Sequence, residues 1–115
     1  MLSAWKGWAE RTSTVAVKLL MTWDIRPGQE KAYFNFVVQE FAPALLKLGL
    51  ESTEAWYTVY GEVPQILTSG ETANLRDMEH ILRGDEWHKL KARLLHYVTN
   101  FREKVVPASN RFQLL

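Results

Sequence analysis

Three histidines, His80, His88 and His96, are the side chains best suited to move a proton or hold a metal ion, and they stand eight residues apart. A helical metal pair needs a spacing of three or four so that both imidazoles reach one ion. Eight defeats that geometry, and Gly84 sets His80 on a separate helix, so no protein metal site is expected. His80 and His88 fall near a junction of two helices. They read as exposed or capping side chains, with proton transfer as the functional alternative. The sequence has no cysteine, which removes disulfides, thiolate metal ligands and a cysteine nucleophile. It also lacks a nucleophile–base pair, a phosphate-cradling glycine loop and a dinucleotide fingerprint.

A second group is more promising. Lys18, Glu54, Trp56, Tyr60 and Arg111 combine aromatic rings with a few charges, the composition of a small-molecule pocket. The structural alternative is an interior filled by its own side chains, with Lys18 and Glu54 paired. Trp87 and Phe101 belong to a helical stripe and read as core.

These residues must be positioned by a small set of elements. Val15–Ile25 alternates and reads as strand one, with Val17, Leu19, Met21, Trp23 and Ile25 on one face and Lys18, Leu20, Thr22 and Asp24 on the other. Gln29–Leu48 reads as helix one, with an apolar surface wider than a single buried face. Pro43 inside it removes a backbone N–H and forces a kink, and Gly49 caps its end. Glu51–Gly61 is strand two, Gly61–Pro64 a turn, and Gln65–Ser69 strand three. A short helix follows over Asn74–Leu82. Asp85 then caps a longer helix predicted to run to Val106, striped by Trp87, Leu90, Leu94, Phe101 and Val105. Arg111–Leu115 is the predicted last strand. Residues 1–14 form an amphipathic arm whose Trp5 and Trp8 must dock on the domain or a partner, and residues 15–115 form one domain.

The order βαββαβ implies an α+β, ferredoxin-like fold: a four-stranded antiparallel sheet with both helices on one face. The second sheet face then carries Lys18, Leu20, Thr22 and Asp24, with Glu54, Trp56, Thr58 and Tyr60 from strand two if the registers match. That face is half polar, and together with the wide apolar surface of helix one it points to a homodimer.

In this respect the chain resembles the dimeric α/β-barrel superfamily, in which two such sheets pack face to face. The resemblance rests on Phe41-Ala-Pro-Ala-Leu-Leu-Lys-Leu-Gly-Leu50, on Gly84-Asp-Glu-Trp-His-Lys-Leu90 and on Val105-Val-Pro107, and spans roughly residues 15–115. The superfamily includes antibiotic-type monooxygenases, haem-degrading enzymes, stress-responsive proteins and members of no known activity. It implies a dimeric barrel that binds or transforms a small aromatic or apolar molecule, by cofactor-free, oxygenase-like chemistry. The alternative is a non-enzymatic dimeric module, structural or stress-related, with a packed barrel. Haem-degrading relatives pair a helical His with a strand Trp and a strand Asn. Trp56 and His80 or His88 match two of these, but strand one has no Asn. No cofactor is therefore expected, with haem the one that these residues leave open.

Charge narrows the partners. Fourteen Lys and Arg against thirteen Asp and Glu leave a net charge of +1, without the basic footprint that nucleic acid requires. No apolar run approaches the ~18 residues of a membrane span, and the first residues lack a secretory pattern. The expectation is a cytoplasmic protein whose partners are a second copy of itself and a small ligand, with neither nucleic acid nor membrane.

Overall fold

A computed structural model describes residues 15–57 and 66–108, with side chains over 15–52 and 66–108. The expected arm, Tyr60, the turn Gly61–Pro64 and the predicted strand Arg111–Leu115 lie outside the described residues.

Strand β1 (Val17–Ile25) is the centre of the fold. It pairs with β3 (Ile66–Thr72) on one side and with β4 (Val98–Pro107) on the other, while β2 (Glu51–Tyr57) pairs with β3, all antiparallel, in the order β2-β3-β1-β4. This is the ferredoxin-like arrangement expected from the sequence. Alternation sends Val17, Leu19, Met21, Trp23 and Ile25 into the core against the helices, as expected. The face away from the helices is not bare at its centre, because Lys18, Leu20, Thr22 and Ser69 are also buried.

Helix one is a continuous rod in three parts: α1 (Glu30–Phe36), a π-helical turn (Val37–Phe41) and α2 (Ala42–Leu48). The Ala42 N–H donates to the Val37 carbonyl five residues back. The cause lies at Pro43, which cannot donate and whose ring would press on the Gln39 carbonyl in a regular helix. Widening the preceding turn relieves that clash. Gly49 caps α2 in the left-handed region at φ 100°, donating back to the last turn. Leu50 then lies over β3, so close that a Cβ on Gly70 would stand 3.1 Å from the Leu50 Cβ.

Helix α3 (Leu75–Arg83) begins at Asn74, whose side-chain oxygen accepts from the Asp77 N–H at 2.8 Å. Helix α4 (Asp85–Leu94) follows after Gly84. Here the structure corrects the sequence reading, which carried this helix to Val106. The chain leaves the helix at Leu94, turns through Leu95–Tyr97 and enters β4 at Val98. The spacing of Leu90, Leu94, Phe101 and Val105 imitates a helical stripe. It is overridden because the second edge of β1 would otherwise be left with unpaired backbone groups inside the core. Val98, Thr99, Val105 and Val106 are in any case good strand residues.

The β1–β4 register slips between Thr22 and Asp24. Asn100 and Phe101 together face Trp23, and Asn100 adopts φ 57°, which makes a bulge. The Asn100 amide donates to Asp24 Oδ2 at 2.8 Å. The bulge lets Phe101 stack on Trp23, with ring centroids 5.8 Å apart and planes 8° off parallel.

Candidate functional site

The sequence-predicted site divides when placed on this frame. Lys18 is only 5% exposed, and its Cα partner on β3 is Glu71. The next rungs pair Leu20 with Ser69 and Thr22 with Leu67. On β2, Glu54 aligns with Ser69 and Trp56 with Leu67. The backbone register thus sets Glu54 on the rung of Leu20, two residues along β1 from Lys18, and Trp56 on the rung of Thr22, two residues further. The side chains of Glu54 and Trp56, and Tyr60 and Arg111 altogether, lie outside the described residues. Described on this face are the buried Lys18, Leu20 and Ser69 and, four residues along β1 from Lys18, the buried Thr22, whose Oγ1 has no hydrogen-bond partner among the described residues.

The histidines are on the surface. His80, His88 and His96 are exposed, and His88 Nδ1 lies 2.9 Å from the Gly84 carbonyl oxygen at the start of its own helix. The contact holds the ring against the first turn of its own helix, where no side chain caps the backbone. Among the described residues no three His, Cys, Asp or Glu side chains gather as metal ligands.

Among the described residues an open space lies on the other side of the sheet, where the sequence reading saw only core. A pocket of about 460 Å³ lies between helix one and the β2–β3 half of the sheet. Its floor is Trp23, Ile66 and Thr68. Tyr33, Val37, Phe41 and Leu45 form the helical wall, and Phe34, Ala42, Leu46, Leu50, Glu51 and Ser52 are the other described lining residues.

Local chemistry explains why this wall holds its shape. The Trp23 indole N–H donates to the Tyr33 hydroxyl at 3.0 Å in a buried bond. That bond satisfies the one polar atom of a ring that is otherwise wholly apolar. Trp23 also meets Tyr33 and Phe41 edge to face, at 69° and 88°, with centroids 6.5 and 6.0 Å apart. A ring fixed from three sides cannot swing to fill the cavity. The π-helical turn contributes both Val37 and Phe41 to the wall, in keeping with the frequent use of such turns at functional sites.

Among the described residues the lining is largely apolar and contains no Lys, Arg or His, and Glu51 is its one charged residue. Sequence reasoning missed the pocket because Trp23, Phe41 and Leu45 have the pattern of ordinary core. The available signal was the excess apolar width of helix one, whose stripe includes Phe34 and is widened by Leu46. Phe34 stays 45% exposed and Leu46 65%.

The sequence matches no family model and no curated protein. Solved structures do match. A NIPSNAP family protein from Agrobacterium tumefaciens superposes with a TM-score of 0.63 at 16% identity, over 79% of this chain and 90% of its own. An uncharacterised NIPSNAP-like domain protein from Burkholderia xenovorans gives 0.60 at 16% identity, over 90% and 93%. A hypothetical protein from Arabidopsis thaliana gives 0.67 at 6% identity, over 88% and 95%. At such identities the likeness is one of fold, so the chain has the ferredoxin-like α+β fold of NIPSNAP-family structures.

Proposed function

We propose that this protein is a small-molecule-binding domain that receives a largely apolar ligand in the pocket between helix one and the β2–β3 sheet. The observation that carries the reading is the combination of size and wall. About 460 Å³ bounded by Trp23, Tyr33, Phe41 and Leu45 lies within the usual range of ligand sites and has their apolar lining with few polar groups. The sequence-based expectation of an aromatic or apolar ligand is kept, and its seat moves from the barrel face to the helix-facing side. The oxygenase-like chemistry implied by the superfamily resemblance gains no acid–base pair from this lining, so the proposal is binding.

The test is to fill the space. Leu45→Trp should insert a ring into the pocket and lower the affinity for an apolar probe such as phenylbutanol at least ~10-fold, a loss of ~1.4 kcal/mol. Circular dichroism should report an unchanged fold. Titration calorimetry reads the affinity. Undiminished binding in the variant, or no binding of the probe to the wild type, would sink the proposal.

A second reading, the non-enzymatic dimeric module, is favoured by a different observation. Phe34, Val38 and Leu46 are exposed on helix one, spaced in fours with exposed Ala42 between. This leaves an apolar row that a second copy of the chain could cover.

A further inference from the structure

Resting on the binding role just proposed, we infer that Lys91 and Arg93, in the last turn of α4, are positioning residues that set the shape of the pocket from outside it. Neither is among the described lining residues. Each makes the same two contacts, one to a ring face and one to a carboxylate. The Arg93 guanidinium lies over the Phe36 ring, 5.6 Å from its centroid, and pairs with Glu40 of the π-helical turn. The Lys91 ammonium lies over the Phe101 ring at 5.0 Å and pairs with Glu103 of β4 at 3.3 Å. A ring face is the negative side of its quadrupole and attracts a cation at such distances.

Both rings lead to the pocket. Phe36 meets Phe41 of the helical wall, with centroids 5.9 Å apart. Phe101 stacks on Trp23 of the floor at 5.8 Å. One turn of α4 therefore holds wall and floor together, each through a single intervening ring. The wall it holds is the part of helix one with a choice of shape. A π-helical turn that relaxes toward α-helical spacing changes the phase of the helix, and Val37 and Phe41 would then rotate relative to Leu45. Pro43 opposes that change from within the helix, and the pair of Glu40 with Arg93 opposes it from outside. A site whose competent shape is only partly populated binds more weakly by that fraction. Both ion pairs are partly exposed, so each is worth little alone and salt screens it. The consequence is a pocket whose affinity for an uncharged ligand depends on ionic strength.

The experiment is calorimetric titration of phenylbutanol, which carries no charge, at ~0.02 M and ~0.5 M sodium chloride. The wild type should lose about two- to fivefold in affinity between the two. The double variant Lys91→Gln/Arg93→Gln should be weaker by a similar factor at low salt and lose nothing further at high salt. Glu40→Gln should also weaken binding, and adding it to Arg93→Gln should cost nothing more, because both remove one contact. Lys89→Gln, exposed on the same helix, should match the wild type. Should the double variant not fold, Glu40→Gln carries the same comparison of the two salts. Thermal unfolding separates positioning from stability: variants that melt earlier but bind with wild-type affinity overturn the proposal. A wild type whose salt response equals that of the double variant overturns it too, while the apolar pocket stands. Failure of phenylbutanol to bind the wild type at either salt overturns the binding role itself.

Discussion

Thr22 lies on the central strand, 1% exposed, and its hydroxyl has no hydrogen-bond partner among the described residues. A buried hydroxyl in that state forfeits its hydration without compensation. Thr22→Val keeps the β-branched shape that the strand favours and removes the orphaned oxygen. It should raise stability by up to ~1 kcal/mol and the melting temperature by a few degrees, read by thermal unfolding. A clear loss of stability would show that the hydroxyl holds a bound water or ligand atom, and would return attention to the sheet face around Lys18. Trp23, one residue on, shows how far residue-scale reading reaches. Alternation was enough to put it on the helix side. Its role as pocket floor depends on a bond to Tyr33 and a stack on Phe101, partners that no spacing rule on strand one contains.

At the scale of elements, what was legible followed local chemistry. Strand one, the helix over residues 30–48, the Gly49 cap and the Asn74 start all follow from residues within a turn of the feature they determine. The error came where two periods overlapped. Leu94, Phe101 and Val105 satisfy a helical spacing, and only the need to pair the second edge of β1 decides for a strand. The bulge within that strand tests the correction. Asn100 holds φ 57°, a conformation that Asn tolerates and β-branched residues resist. Asn100→Val should cost about 1–3 kcal/mol, from backbone strain and the lost bond to Asp24, whereas Asn100→Gly should cost less. Equal losses in denaturant unfolding would show that the side-chain bond matters and the backbone conformation does not. Pro43 acts at this scale too. By forcing a π turn it adds a residue to one turn of helix one and cancels much of the drift that a spacing of four accumulates in a 3.6-residue helix. Phe34, Val38, Ala42 and Leu46 are thereby brought closer to one line.

At the scale of the whole molecule, that line bears on assembly. The sequence offered two grounds for a homodimer, a half-polar sheet face and an over-wide helix. The structure buries the centre of the first within one chain, at Lys18, Leu20, Thr22 and Ser69. It leaves the second open, with Val38 66% exposed at the middle of the row. A net charge of +1 puts little repulsion between two copies. We therefore expect a two-fold dimer through helix one, sedimenting at micromolar concentration as twice the 13.4 kDa chain. Val38→Asp should convert it to a monomer with an unchanged fold, because each copy would bury a charge against the other's apolar row. A wild type that sediments only as a monomer would end the dimer proposal, and a Val38→Asp variant that stays dimeric would move the contact to another face. Because Phe34 and Leu46 belong both to the row and to the pocket lining, assembly and ligand binding should be linked. Whatever favours the dimer must shift ligand affinity, and the ligand must shift dimerisation by the same free energy. Apparent affinity for phenylbutanol should therefore change with protein concentration in the wild type and stay constant in Val38→Asp.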